Sequence, residues 1–151
     1  MRALIQRVSQ ASVSIEERIT GQISYGLLVF LGVESADSLE DIDWLIKKIT
    51  QLRIFSDAEG KMNESVLDQE GGLLVVSQFT LHANVKKGTR PSFIKAAAPK
   101  QAKALYDQFI DRLQAQAQIN IACGEFGANM QVQLINDGPV TIWLDSKNRG
   151  Y

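Results

Sequence analysis

Hydrophobic and polar positions along the first half of the chain predict three strands. The segments RALIQRVSQASVSI (2–15) and ISYGLLVFLGV (23–33) are rich in β-branched and apolar residues, which is typical of strands. Thr20-Gly21 between them is a plausible hairpin turn. The segment GGLLVVSQFTL (71–81) predicts a third strand. Its first half is continuously apolar, so we expect it to be buried on both faces.

Two segments carry apolar residues at helical spacing. Ser38 followed by Asp41 resembles a capping box, and the periodic apolar residues after it predict a helix over about 38–53. Pro99 suits the first turn of a second helix. The apolar face of that second helix consists of Ala102, Leu105, Tyr106, Phe109, Ile110 and Leu113.

The C-terminal part of the chain predicts two strands, about 130–136 and 140–145, joined by the turn NDGPVT (136–141). Asn, Asp and Gly have the chemistry of a tight reversing turn. Pro139 then removes a backbone donor where the next strand begins, and it either opens an ordinary strand or forms a cis bond with Gly138. The polar residues 146–151 are expected to fray.

This order of elements favours an α+β fold, in which an antiparallel sheet or open barrel is covered by two main helices. The length of 151 residues fits a single domain, 1–151, with its own core. The longest apolar run, YGLLVFLGV, is too short to span a bilayer. With no secretory signal in MRALIQRVSQ, we expect a cytoplasmic protein that does not enter membranes.

Charge gives the chain no broad attraction for polynucleotides, because 16 basic residues face 17 acidic ones. Any nucleic-acid contact must therefore be local. The most basic window is NVKKGTRPSFIK (84–95), where Lys86, Lys87, Arg90 and Lys95 have no acid between them. Such a run is either a solvated loop or a contact for phosphates.

Motifs for metal, nucleotide or redox chemistry are missing from the sequence. There is no His-x-x-x-His or paired Cys, no phosphate-binding glycine loop and no dinucleotide fingerprint, so we expect neither a metal nor another cofactor. Cys123 is the only cysteine and has no evident catalytic partner. His82 is the only histidine, so any triad mechanism must use it.

The segment SQFT (77–80) replaces apolar residues at the end of the third strand with polar ones. Such residues mark either the emergence of the strand into solvent or the lining of a pocket. No base neighbours Thr80 in the sequence, so composition alone does not make it a nucleophile.

Four segments in register, GLLVFLGV, SQFTL, RPSF and NDGPVT, resemble the bacterial D-aminoacyl-tRNA deacylases, also called D-tyrosyl-tRNA deacylases. The resemblance runs from ALIQRV to NDGPVTIWL. It implies a homodimeric hydrolase that cleaves the ester between a D-amino acid and the terminal adenosine of tRNA, as quality control for translation. It also implies a cis bond between Gly138 and Pro139, which would reach into the pocket of the partner subunit and reject L-amino acids.

The resemblance also assigns residues. Ser77, Gln78, Phe79 and Thr80 form the floor of the catalytic pocket, with Thr80 either a nucleophile or a residue that positions the ester while the 2′-hydroxyl of the tRNA assists. We favour the second role. Met130 corresponds to a position in the adenosine pocket, the alternative being a core methionine. Arg7 corresponds to an arginine that holds the Gly-Pro loop, the alternative being an exposed strand arginine.

Two further hypotheses follow from the residues themselves. Lys86, Lys87 and Arg90 are candidates for contacting phosphates of the acceptor stem. The rival functions are a noncatalytic module that binds RNA ends, and a small-ester hydrolase that uses Thr80 or Ser77 with His82 as base.

Overall fold

The computed structural model describes residues 1–150 as a sheet covered by two long helices. None of the helices in these residues is long and apolar enough to cross a bilayer. In chain order, the elements are β1 (Arg2–Ile15), β2 (Arg18–Ile23), β3 (Gly26–Gly32), α1 (Leu39–Gln51), β4 (Phe55–Ser56), β5 (Met62–Glu64), β6 (Gly72–Ser77), a 3₁₀ helix (Phe79–His82), α2 (Pro99–Gln116), β7 (Ile121–Cys123) and β8 (Gln131–Asp145).

The main sheet has the order β2-β1-β3-β6-β7, and β8 pairs with the other edge of β1. The pairs of β1 with β2, β3 and β8 are antiparallel, whereas β6 is parallel to both β3 and β7. The predicted antiparallel sheet is therefore corrected to a mixed one. The reason is that α1 and α2 each supply a long crossover, which parallel neighbours require.

Successive side chains of β3 and β6 pack on opposite faces of the sheet, and both faces are apolar, which explains the continuous apolar runs of these strands. Leu27, Val29 and Leu31 pack in one buried cluster with α1 and α2. Leu28, which lies between them in the sequence, packs in a second cluster with Leu74 and Val76 of β6. Since successive strand residues point to opposite faces, both faces of these central strands are buried, as the sequence predicts for β6.

The first helix begins as its sequence indicates. The Asp41 carboxylate accepts hydrogen bonds from the Ser38 backbone N–H at 2.8 Å and from the Ser38 hydroxyl at 3.1 Å. The backbone donor of the N-cap residue is therefore paired. Pro99 occupies the first turn of α2. Both predicted helices are confirmed.

The predicted turn at Thr20-Gly21 is wrong. The chain reverses at Glu16 and Glu17, which both have positive φ, and Gly21 lies inside β2. A Cβ atom on Gly21 would lie 2.7 Å from the carbonyl oxygen of Cys123. The glycine therefore allows β2 to approach β7 closely, which brings the sheet near to closing as a barrel.

The segment 136–141 is not a reversing turn either. Val8 pairs with Asn136 and Gln6 pairs with Thr141, so β8 runs in one direction on both sides of the segment. The single residue Arg7 therefore faces four residues, 137–140, which bulge out of the strand. The two predicted strands are one.

The residues that follow β8 are fixed, contrary to the expected fraying. The Ser146 hydroxyl donates to Asp41 Oδ1 at 2.6 Å, and Lys147 Nζ lies 2.8 Å from Asp41 Oδ2. The guanidinium of Arg149 lies over the ring of Trp44, 5.2 Å from its centroid. These contacts hold 146–149 against the start of α1. Tyr151, also included in the expected tail, lies outside the described residues.

Candidate active site

The segment that carries the SQFT motif turns sharply after β6. Ser77 ends the strand, and Phe79–His82 form a single turn of 3₁₀ helix. The Gln78 N–H donates to the Leu31 carbonyl at 2.8 Å, and Arg2 Nη1 donates to the Leu81 carbonyl at 2.9 Å. The turn is thus held from β3 on one side and from β1 on the other.

Two backbone donors at the start of this turn are free. The first N–H groups of a helix have no acceptor within it. Those of Phe79 and Thr80 also donate to no other acceptor in residues 1–150. Adjacent free N–H groups of this kind can bind a carbonyl or an oxyanion.

The side chain of Thr80 is exposed, and its hydroxyl accepts a hydrogen bond from Gln78 Nε2. A hydroxyl that accepts from an amide keeps its own proton for donation to another group. Among the described residues, no carboxylate or imidazole is bonded to this hydroxyl. In this geometry the Thr80 hydroxyl can donate a hydrogen bond, but no general base is in place to remove its proton.

A cavity of about 650 Å³ lies beside the turn. Ser77, Gln78 and Phe79 form one side, and Met130 lies on another. The remaining wall is mostly apolar or small, and it consists of Val76, Phe93, Ala96, Ala97, Ala98, Pro99, Ala102, Phe126, Gly127, Ala128 and Val132. Thr80 lies next to this lining on the 3₁₀ turn. The volume suits a small organic group, with the polar atoms gathered at one end.

His82 lies beneath the turn and away from solvent. Neither ring nitrogen has a hydrogen-bond partner among residues 1–150, and the nearest carboxylate oxygen, on Glu34, is 3.7 Å from Nδ1. Burial lowers the pKa of His82, so the imidazole is neutral at pH 7. Its packing against Gly32 makes it part of the support for the turn.

Cys123 belongs to β7, at the far edge of the sheet order. Burial, followed by the charge of Asp107, raises the pKa of its thiol. A protonated thiol is a poor nucleophile. No group of three or more His, Cys, Asp or Glu side chains in the described part of the chain could hold a metal ion.

Arg7 is buried and anchors the bulge of β8. Its Nη1 donates to the Ile54 carbonyl at 2.6 Å, and its Nε lies 3.3 Å from the Asp137 carbonyl and 3.1 Å from the Asp137 carboxylate. Gly138 and Pro139, at the tip, are exposed and are joined by a cis peptide bond. Asn136 Nδ2 closes the base of the bulge, donating to the carbonyls of Arg7 and Val140, each at 3.0 Å.

Within one chain, the structure does not bring the bulge to the cavity. None of residues 137–140, nor Arg7, contributes to the cavity wall. The SQFT segment and Met130 share one site, and the Gly-Pro bulge forms a second feature that projects into solvent. Lys86, Lys87 and Arg90 lie on an exposed loop whose base is closed by paired backbone hydrogen bonds between Asn84 and Ser92.

Sequence reasoning missed several residues of the site. Phe93 and Phe126 line the cavity, and Arg2 reaches the 3₁₀ turn. The run Ala96-Ala97-Ala98 before Pro99 was an available signal, because small residues leave room for a ligand beside a helix start. Nothing local in the sequence distinguishes Arg2 from other strand arginines.

The fold and the site define an α+β domain with a cavity beside two free backbone N–H groups. The family model for D-Tyr-tRNA(Tyr) deacylase matches residues 4–145. The chain belongs to this family.

Curated relatives and solved structures agree with that assignment. Proteins named D-aminoacyl-tRNA deacylase from Bacteroides fragilis and Flavobacterium johnsoniae are 54% and 56% identical over 149 residues, which is 99% of this chain and of each relative. A solved structure described as "c-Myc DNA Unwinding Element Binding Protein" is 40% identical and superimposes with a TM-score of 0.92, covering 96% of this chain and 98% of its own.

A second solved structure, of a probable eukaryotic D-amino acid tRNA deacylase, has a TM-score of 0.78 at 18% identity, covers 95% of this chain and 97% of its own, and shows the fold alone. The predicted family, fold class and membership of an enzyme family are confirmed. The roles of individual residues stay predictions.

Proposed function

We propose that this protein hydrolyses the ester between a D-amino acid and the 3′-terminal adenosine of tRNA and leaves L-aminoacyl-tRNA intact. The observation that carries the proposal is the pair of free N–H groups of Phe79 and Thr80 at the edge of a cavity. In cells this activity would clear mischarged tRNA before translation, in the cytoplasm.

The two N–H groups suit the chemistry of ester hydrolysis. Attack on the ester carbonyl places negative charge on its oxygen, and fixed backbone donors stabilise that charge without reorganisation. Loss of one such donor costs about 2.7–4 kcal/mol in other hydrolases. Ser77 and Gln78 would line the floor beside the reacting group, and Met130 would contact the adenosine.

Thr80 is proposed to position the ester and not to attack it. Its hydroxyl accepts from Gln78, and the only histidine, His82, is buried, neutral and not bonded to it. The tRNA's own 2′-hydroxyl would assist the reaction. For the same reasons, no specific observation favours a small-ester hydrolase with a Thr80–His82 pair.

We propose that a second copy of the chain supplies the residues that select the D-amino acid. In a homodimer, the exposed tip Gly138-Pro139 of one subunit would enter the cavity of its partner. Arg7 holds the tip firmly, and glycine lets the backbone approach the α-carbon of the substrate. A backbone wall there would exclude an L side chain by steric clash. Glycine, which has no side chain, would be accepted.

The deciding measurement is the rate at which the purified protein deacylates D-tyrosyl-tRNA and L-tyrosyl-tRNA without added metal. Rapid loss of the D ester alone supports the proposal. Equal rates indicate a nonspecific esterase, and no turnover of either ester indicates a noncatalytic module that binds RNA ends.

Complementation tests the shared pocket. Ala98→Trp should fill the cavity, and Gly138→Trp should distort the bulge, so each variant alone should lose activity. In a mixed dimer, the Gly138→Trp chain supplies an intact cavity and the Ala98→Trp chain supplies an intact bulge, so one complete site forms. Recovery of D-specific hydrolysis on mixing supports sharing, whereas an active monomer in a sizing experiment contradicts it.

A further inference from the structure

The segment that supplies much of the cavity wall carries only positive charge. Residues 71–106 contain six lysines and arginines and no aspartate or glutamate, although the whole chain has a formal charge of −1. This segment supplies the SQFT residues and the cavity wall from Phe93 to Ala102. The region around the cavity is therefore locally cationic, which favours a polyanion.

Five of these six cations have no acidic partner. Lys103 pairs with Asp107 at 2.6 Å. No ion pair within the described residues includes Lys86, Lys87, Arg90, Lys95 or Lys100. Four of the five, Lys86, Lys87, Arg90 and Lys95, lie within ten residues of one another in the sequence with no acid between them, so they are available for an external anion.

Large apolar side chains are exposed among the same cations. Ile94 is 91% exposed and follows Phe93, which lines the cavity. Phe79 is 57% exposed and packs edge-on against Phe93, with their ring centroids 5.0 Å apart. Phosphate binding alone requires only cations. The exposed apolar surface beside them favours a ligand that also has apolar faces.

We propose that Phe79, Ile94 and the surrounding cations form a subsite, here called the rim, for the unpaired nucleotides that precede the terminal adenosine of the substrate. This inference rests on the proposed function. Bases would lie against Phe79 and Ile94, and their phosphates would contact Lys86, Lys87, Arg90 and Lys95. Aromatic side chains such as Phe79, set beside a positively charged surface, are the usual means of binding single-stranded nucleic acid without sequence preference.

The rim can be tested with a labelled single-stranded ACCA tetranucleotide, whose affinity is measured by fluorescence anisotropy. Ile94→Ser is the test variant, and Ile19→Ser, which removes an exposed isoleucine from β2, is the matched control. We expect Ile94→Ser to weaken binding about fivefold to tenfold and Ile19→Ser to leave it unchanged. Equal affinities for all three proteins would overturn the rim.

Two competing occupants are distinguished by the same assay. A paired RNA hairpin or an acidic peptide that binds as tightly as the tetranucleotide would show that the surface reads charge alone, and would overturn the assignment to unpaired bases. A change in the oligomeric state of Ile94→Ser on a sizing column would show instead that Ile94 contacts a second copy of the chain.

Kinetics separates failure of the rim from failure of the proposed function. With wild-type protein, we expect a KM about tenfold lower for the D-tyrosyl ester of the tetranucleotide than for D-tyrosyl-adenosine. Equal KM values would overturn the rim and leave the deacylase function intact. Tetranucleotide binding that is sensitive to Ile94→Ser, with no ester hydrolysis, would overturn the function and support the rim.

Discussion

Replacing Gly138 with alanine tests how firmly Arg7 holds the bulge of β8. A Cβ atom at this position would lie 2.7 Å from Arg7 Nη2 and 3.0 Å from a Val140 methyl group. Gly138 also has a φ of +119°, a conformation that L residues rarely adopt. The substitution therefore imposes both backbone strain and a steric clash.

The clash is costly because Arg7 cannot swing away freely. It is buried, and its guanidinium is bonded to the carbonyls of Ile54 and Asp137 and paired with the Asp137 carboxylate. Backbone strain of this kind costs about 1–3 kcal/mol. Displacing a charged hydrogen bond costs about 1.5–3 kcal/mol. We expect Gly138→Ala to lower the free energy of unfolding by about 3–5 kcal/mol.

Urea denaturation with two further variants isolates the contribution of Arg7. Gly60 has a φ of +80°, and a Cβ atom added there would meet no described residue beyond its chain neighbours within 4 Å. Gly60→Ala therefore imposes strain alone and should cost about 1–2 kcal/mol. In an Arg7→Met background, Gly138→Ala should cost at least about 1 kcal/mol less than in the wild type. Equal costs at Gly138 and Gly60, or additive effects with Arg7→Met, would refute the reasoning.

Three other predictions concern the turn and the helix start. Thr80→Ala should retain substantial deacylase activity, measured as kcat/KM on D-tyrosyl-tRNA, and a loss of more than about a thousandfold would restore Thr80 as the nucleophile. Arg2→Met should lower kcat about tenfold through displacement of the 3₁₀ turn, with D/L selectivity kept; an unchanged kcat would show that the bond to the Leu81 carbonyl is dispensable. Burial alone would raise the pKa of Asp41, but hydrogen bonds from Lys147 and Ser146 outweigh it and hold the pKa well below 3.8. Stability should therefore fall as the pH drops below about 4, and Asp41→Asn should reduce this dependence in urea titrations at several pH values; an identical pH dependence would contradict the assignment.

The elements that the sequence predicts well are those whose signals are local. The start of α1 depends on Ser38 and Asp41, three residues apart, and its bounds are found within two residues. The central strands follow from uninterrupted apolar runs. In these cases the pattern and the interaction that stabilises it lie in the same short segment.

The wrong predictions concern interactions between distant residues. A glycine that permits a turn cannot be distinguished locally from Gly21, which makes room for Cys123. The chemistry of 136–138 is that of a tight turn, but whether the chain reverses depends on β1, whose Arg7 is 130 residues from Asp137. Arg2 was missed because its acceptor on Leu81 is 79 residues away. The polarity of the SQFT segment singled it out in the sequence but left solvent and pocket lining both open; its catalytic role was assigned only through family resemblance.

The base of the bulge depends on the NH₂ group of the Asn136 side chain. Its Nδ2 donates to the carbonyls of Arg7 and Val140, so both contacts need a donor at that atom. Deamidation would convert the amide to a carboxylate of nearly the same shape, with an anionic oxygen facing two carbonyl oxygens. Chemical ageing at this one side chain would therefore loosen the Gly138-Pro139 tip, although the protein would gain only one negative charge and lose almost no volume.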